Sequence, residues 1–504
     1  MSATELLTPE AAVSQTHTAT PWRKLLRLVS FSVMLAWLCL GMMFASFVQR
    51  PLLADPDLGW HLRDAQRMVQ ERAFLHADSF TFTLHGHAWV DPEWLSELAF
   101  YAAYRAGHLR GVEVLLIGLL LSLIVSVFVL GAWRAGNARS SVLNIFLFSI
   151  FAGVSFSPRT QLFGWLCCVA LVAILELYRT GRDYLWALPP LFLLWINLHG
   201  SWPVGVILLT LFLVTGLIGF RRGSLESVRW TPSQRNRLLL ILALCCIALF
   251  CNPYGWQLVA YPYQIAGQHQ LTLSTVQEWQ TLDFHTARAK LVFALFAFYL
   301  LIRALRNRVW SLYDAASLLF AIAMCFTYTR FLLFAGIVFC PMLAEELTFL
   351  GCDKSAVEKP LINLAIIAAI LCLMATHIPS EQELRRQSDT GDLGYPAGAV
   401  AYLRQHPAQG AVFNDFNWGG YLIWNLPGQP VFIDTRTDVF EETGLYRQYF
   451  DLLSLKTPIE TYNHGELRYV LLPPRSPLAL LLSRLPAWKV EYQDETAVLI
   501  HRIG

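Results

Sequence analysis

Apolar residues in this chain come in long runs separated by short polar segments. The first run extends from Leu28 to about Val48. Others cover roughly 111–133, 141–157, 161–178, 184–200, 202–220, 237–251, 290–305, 311–328, 331–349 and 360–378. A helix rises 1.5 Å per residue, so about 20 apolar residues cross the hydrocarbon of a bilayer. The pattern therefore predicts about eleven transmembrane helices in an α-helical polytopic membrane protein. The first run is too long for a signal-peptide core. Residues 1–20 are polar and read as a disordered tail.

Past His377 the pattern changes. Residues 380–394 are charged and polar, a linker. From 395 to 504 the chain reads as a C-terminal α/β domain. Helical stretches fall at 397–405, 418–426 and 476–485. Short buried strands fall at Ala411–Phe413, Val431–Ile433 and Arg468–Leu472, and a hairpin at 488–501.

Charge orients the whole. Arg23, Lys24 and Arg27 precede the first span. With the N-terminus inside, alternate connections carry Arg134 and Arg139; Arg179 and Arg182; Arg221, Arg222, Arg229, Arg235 and Arg237; Arg303, Arg306 and Arg308; and Lys354 and Lys359. These are the cytoplasmic loops of the positive-inside rule. The opposite face holds Arg159, Arg330 and the distinctive polar motifs. These are the first loop 49–110, Ser157–Gln161, Asn197–Trp202, Asn252–Gly255 and Thr327–Arg330. The expected location is the inner (cytoplasmic) membrane, multi-pass, with the 395–504 domain outside.

Composition agrees. Of 504 residues, 55% are hydrophobic and 15% charged, with mean hydropathy +0.45 and net charge +2. No basic stripe with interleaved aromatics points to nucleic acid. The ten cysteines lie in or beside apolar runs, apart from Cys352 in a short loop, and offer neither a disulfide framework nor a metal-ligand spacing.

The densest polar chemistry is in the first loop. Asp55-Pro56 opens a helix whose apolar stripe is Leu58, Leu62, Ala65 and Val69. Asp57, His61 and Asp64 share the neighbouring face. Asp91-Pro92-Glu93-Trp94 repeats the opening, and 79–90 reads as a hairpin around His85-Gly86. Asp55 and Asp91 also have the chemistry of plain helix caps, and Asp57 and Glu93 that of dipole partners. Trp60, Trp89 and Trp94 suit interfacial anchors. The clustering of acids directly after the first span, on the motif-rich face, favours a site. Arg159 and Arg330 lie at outer helix ends, suited to phosphate or to snorkelling toward headgroups, and His199 is a further donor.

An acidic motif in the first outer loop, followed by surface helices, resembles the GT-C superfamily of integral-membrane glycosyltransferases. The runs Asp55–His61, Asp78–Thr83 and Trp89–Glu97, with Asn414–Tyr421, are also similar to a group of bacterial multi-pass membrane proteins. The GT-C resemblance implies a transmembrane domain over 21–379 and a polyprenyl-phosphate sugar donor. It implies a glycan, lipid or protein acceptor at the outer face. Carried over, the role of base falls to Asp57 or Asp55, with His61, Asp91 and Glu93 orienting acceptor or metal. Arg159, Arg330 and His199 would hold the donor phosphate. A divalent cation, Mg or Mn, at Asp57 and His61 is one option that the resemblance leaves open.

Glu278 and Asp283, near Trp279, suit a lid or a plain solvated loop. Asn414–Tyr421 and Asp434–Asp438 follow strands, where ligands of α/β sheets bind, but suit docking onto the membrane domain better. A hexosyl- or pentosyl-transferase is the first functional expectation. A flippase of lipid-linked saccharide or a non-catalytic envelope-assembly protein is the alternative. A transporter would favour midplane charges over acids gathered at one surface.

Overall fold

The structure, a computed structural model, describes residues 29–48, 53–152, 159–268, 270–350, 359–390, 394–458 and 467–503. The tail 1–20, the basic residues Arg23, Lys24 and Arg27, Ser157-Pro158, Cys352, Lys354 and linker positions 391–393 lie outside the described residues.

Helices dominate the first three-quarters of the chain. They are α1 (Phe31–Val48), α2 (Leu58–Glu71), α3 (Trp94–Ala135), α4 (Ala138–Ala152), α5 (Gln161–Arg179), α6 (Leu188–Leu198), α7 (Trp202–Thr215) and α8 (Pro232–Ala248). Then follow α9 (Trp256–Gln268), α10 (Gln270–Thr275), α11 (Ala287–Leu305), α12 (Leu312–Thr327), α13 (Leu332–Glu346) and α14 (Pro360–Thr376). Among the described residues, α3 and α5 are long and apolar enough to cross a membrane. A third span is possible by length if α14 is joined to the following helix, from which it bends by 62°. Helices α1, α4, α6, α7 and α12 are apolar but shorter. Leu361, Leu305 and Leu319 stand 81%, 76% and 68% exposed on helix flanks. So many bare leucines belong against lipid, not water.

Helix α3 is divided. Gly107 (φ −156°) and His108 (φ 52°) leave helical geometry, so 94–106 heads away from the apolar stretch that follows. At the far end of α3, Arg134 pairs with Glu176 (2.8 Å), Asp314 (2.8 Å) and Glu345 (3.0 Å). Arg179 joins the same Glu176 and Asp314, each at 2.9 Å. The arginines that orient the chain thus also tie α3, α5, α12 and α13 together. A small sheet of β1 (Phe220–Arg222), β2 (Leu225–Ser227) and β3 (Trp310–Ser311) covers this end.

The linker expected at 380–394 is instead mostly helical, α15 (Glu381–Thr390). It fits a helix because Glu381/Arg385 and Glu383/Arg386 pair along it. Beyond it come α16 (Ala397–Gln405), β4 (Ala411–Asn414), α17 (Gly419–Asn425), α18 (Thr437–Glu442), α19 (Leu445–Leu453), β5 (Leu467–Leu472), α20 (Pro477–Leu482), β6 (Trp488–Gln493) and β7 (Val498–Arg502). The sheet order is β4-β5-β7-β6, with β4 parallel to β5 and the other pairs antiparallel. A separate core, including Phe413, Phe432, Tyr449 and Ile500, lies beneath it.

Val431–Ile433 is not a ladder strand, contrary to its apolar run. It makes only isolated bridges, from Val431 to Thr81 and to Val412. The Asn414 side chain takes the place of a neighbouring strand, accepting from Phe432 N and donating to Ile433 O, both at 2.8 Å. The hairpin expected over 79–90 shrinks likewise to one bridge, Ala77 to Ala88. Asp78 holds the loop instead, accepting from the Thr81 hydroxyl at 2.7 Å.

Candidate active site

Two Asp-Pro turns build the site. Asp55 Oδ1 accepts the Asp57 N–H at 2.9 Å, and Asp91 Oδ1 accepts the Glu93 N–H at 2.9 Å. Each is an Asx-type turn with the side chain mimicking backbone. Helix α2 therefore starts at Leu58, later than Asp55-Pro56 suggested, and Asp57 occupies its N-cap without a capping bond. The turns free Asp57 and Glu93 to face other elements.

Asp55 is buried and receives Arg159 Nε at 2.9 Å on Oδ2. Arg159 also binds Glu278, which accepts from Gln161 Nε2 at 3.2 Å. Burial works against the charge of Arg159, but Asp55 and Asp57 hold its pKa above the ordinary value. Asp57 is partly buried and accepts from the Thr435 hydroxyl and from Trp60 Nε1 (3.4 Å). Burial, reinforced by the Asp55 charge, pushes Asp57 up to about 6. That value lies near the working range of a general base.

Glu93 lies between two imidazoles. His199 Nε2 is 3.5 Å from Oε1 and His61 Nε2 is 3.9 Å from Oε2. Burial lowers both histidines to about 3, so both are neutral, and it raises Glu93 to about 8. His199 Nδ1 accepts the Ser201 N–H at 3.1 Å, which leaves its proton on Nε2, facing Glu93. His61 Nδ1 lies 2.8 Å from Glu97 Oε1. Glu93 thus stands between His199 and His61, and His61 between Glu93 and Glu97.

Arg330 stacks over Trp279 at 4.0 Å from the ring centroid. No carboxylate is within ion-pair distance of it among the described residues. Burial lowers it to about 10, leaving it charged at neutral pH. Arg330, His199 and Glu93 line a cavity of about 360 Å³ whose wall is otherwise largely apolar, including Val204, Ile265 and Phe334. A second cavity, about 250 Å³, reaches Asp55 from the other side and is walled by Tyr395, Tyr421, Trp424, Arg385 and Arg404. The Asp55–Arg159–Glu278 group reaches the second cavity through Asp55 and the first through Gln161, which donates to Glu278.

Asp57 and His61, named at the sequence level for a cation, are thus occupied by Thr435, Trp60 and Glu97. The acids that converge closely are Asp64, Asp91 and Glu97. Asp283 lines a separate cavity and takes no part in these contacts. Sequence reasoning gave Glu97 no role of its own, and read Thr435 and Arg436 only as part of the Asp434–Asp438 docking cluster. Arg436 donates to Asp78 and Asp434, at 2.6 Å each, joining the C-terminal module to the first loop. Its only sequence signal was the polar cluster Asp434–Asp438.

No family model and no curated protein sequence matches the chain. Among solved structures, the oligosaccharyltransferase of Archaeoglobus fulgidus, tethered with an acceptor peptide, matches with TM-score 0.53. The match covers 86% of this chain and 68% of that one, at 13% identity. The same organism's AglB, in complex with an inhibitory peptide and a dolichol-phosphate, matches with TM-score 0.51 over 87% and 69%, at 12% identity. The chain has the GT-C fold. At this identity the likeness concerns fold alone.

Proposed function

We propose that this GT-C protein is a membrane glycosyltransferase, moving a sugar from a polyprenyl-phosphate donor to an acceptor at the outer face. The eleven-span topology with the N-terminus inside, the division at 379, 394 and 395, and the inner-membrane location belong to the same proposal. The observation that carries it is the pair of cavities linked through Gln161, Glu278, Arg159 and Asp55, one lined by Arg330 and a largely apolar wall, the other aromatic and basic. A lipid phosphate suits the first cavity, with Arg330 and His199 at its charge and the chain along Val204, Ile265 and Phe334. AglB, of the same fold, is known with dolichol-phosphate. A sugar-bearing acceptor suits the second, against Tyr395, Tyr421 and Trp424.

In the proposed reaction, an acceptor hydroxyl attacks the anomeric carbon and Asp57 takes its proton. The bond from that carbon to the phosphate oxygen breaks, and the released charge falls to Arg330 and to the His199 N–H. Protonated Glu93 keeps further negative charge away from the leaving phosphate. The purified protein, given a panel of polyprenyl-phosphate sugars, should bind or consume one of them. Asp57→Asn should abolish transfer while retaining expression and donor binding. Unchanged transfer in both Asp55→Asn and Asp57→Asn would end this reading.

A further inference from the structure

Asp64 points into the interior between α2 and the start of α3. It is 0% exposed, as is Glu97, and Asp91 is 1% exposed. One carboxylate oxygen from each of the three lies within 4.8 Å of the others. Both oxygens of Asp64 lack a hydrogen-bond partner, and so does Glu97 Oε2. Most nearby donor atoms are committed elsewhere, Arg436 Nη1 excepted, which likewise lacks a partner. Arg436 serves Asp78 and Asp434. Tyr254 donates its hydroxyl to Leu75 O at 2.8 Å. His61 Nδ1 meets the other Glu97 oxygen.

Buried carboxylates are ordinarily paired, hydrogen-bonded or bound to metal. Three that converge, with three of their oxygens left without a hydrogen bond, form a buried carboxylate cage that a cation would neutralise. We propose that Asp64, Asp91 and Glu97 bind a hard divalent cation, which clamps α2 to the head of α3. The all-oxygen set selects Ca²⁺, Mg²⁺ or Mn²⁺ over softer metals. Oxygens up to 4.8 Å apart fit the ~2.3–2.6 Å bonds of Ca²⁺ with little rearrangement; Mg²⁺ would draw them closer. His61, against Glu97, then acts as an outer-sphere orienter of that ligand. The site lies behind the cavities, and its role is positioning. The cation fixes the turn from Asp91 to Glu93, and hence Glu93 in the cavity wall. The inference stands apart from sugar transfer.

The test uses the full chain in nanodiscs and does not need its substrate. Elemental analysis after gel filtration should find about one divalent ion per chain. EDTA should lower the melting temperature by several degrees, and one of Ca²⁺, Mg²⁺ or Mn²⁺ should restore it. Asp64→Asn and Glu97→Gln should lose the ion and the EDTA response, whereas Asp57→Asn should keep both. The wild-type arms are decisive even where a variant fails to fold. No stoichiometric ion in the wild type, with melting indifferent to EDTA and to added cations, would overturn the proposal. So would an ion lost in Asp57→Asn but kept in Asp64→Asn.

Discussion

Arg159 Nε donates to Asp55 Oδ2 at 2.9 Å, across 104 residues of sequence. The pair joins the first loop to the head of α5 beside the two cavities. Asp55 is almost fully buried, so removing its partner leaves a carboxylate in low dielectric. Arg159→Ala should cost about 3 kcal/mol, the usual range for stripping one half of a buried ion pair. Asp55→Asn combined with Arg159→Gln should cost less than the sum of the singles, as read from denaturant unfolding in micelles. Additive effects would show that the contact is incidental.

The raised Asp57 carboxyl gives transfer a pH signature. A base must be ionised, so kcat/KM should rise with pH through about 6 and then level off. Stability should respond in the opposite sense. The folded value exceeds the ordinary 3.8, so the Asp57 contribution is complete below about 3.8 and fades as pH climbs through about 6. The Thr435 hydroxyl favours the ionised form. Thr435→Ala should therefore move the acidic limb to higher pH. A limb that stays put or moves lower would remove Asp57 from the role of base.

Among the described residues Arg330 has no carboxylate within ion-pair distance, in contrast to Arg159. Arg330→Ala should weaken binding of a polyprenyl phosphate by about tenfold or more, and Arg330→Lys should recover part of the loss. Fluorescence of Trp279, under the guanidinium, provides the titration signal. Equal affinity in Arg330→Ala and wild type would place the phosphate elsewhere.

The C-terminal module meets the first loop backbone to backbone. A Cβ on Gly59 would come within 2.0 Å of Gly420 O, and one on Gly420 within 2.3 Å of Pro56 O. Gly59→Ala or Gly420→Ala should destabilise the docked state by about 1–3 kcal/mol. Limited proteolysis should then cut the module faster. Gly428→Ala, where no neighbouring atom lies within 4 Å but φ is +91°, is the control for backbone strain without a clash.

The sequence showed the first loop as the centre because its polar residues stand out against apolar spans. It also showed several of the strands and helices after residue 395, since period-2 and period-3.6 patterns are local, but it missed α18 and α19. Val431–Ile433 misled because Asn414, an amide side chain, satisfies its backbone, and no periodicity reports that. Spacing placed Asp57, His61 and Asp64 on one side of a helix but could not separate their surroundings. Asp57 meets Thr435, His61 meets Glu97, and Asp64 makes no side-chain hydrogen bond among the described residues. Pairings such as Arg436 with Asp78 join positions 358 residues apart, and only tertiary packing reveals them.

The hydroxyl that bonds Asp57 comes from Thr435, 378 positions later. Threading of the earlier segments into the bilayer is therefore finished before Asp57 acquires its environment. A polypeptide stopped short of Thr435 would lack that bond. On the proposed role of Asp57, the base is complete only once the segment carrying Thr435 has folded back onto the first loop.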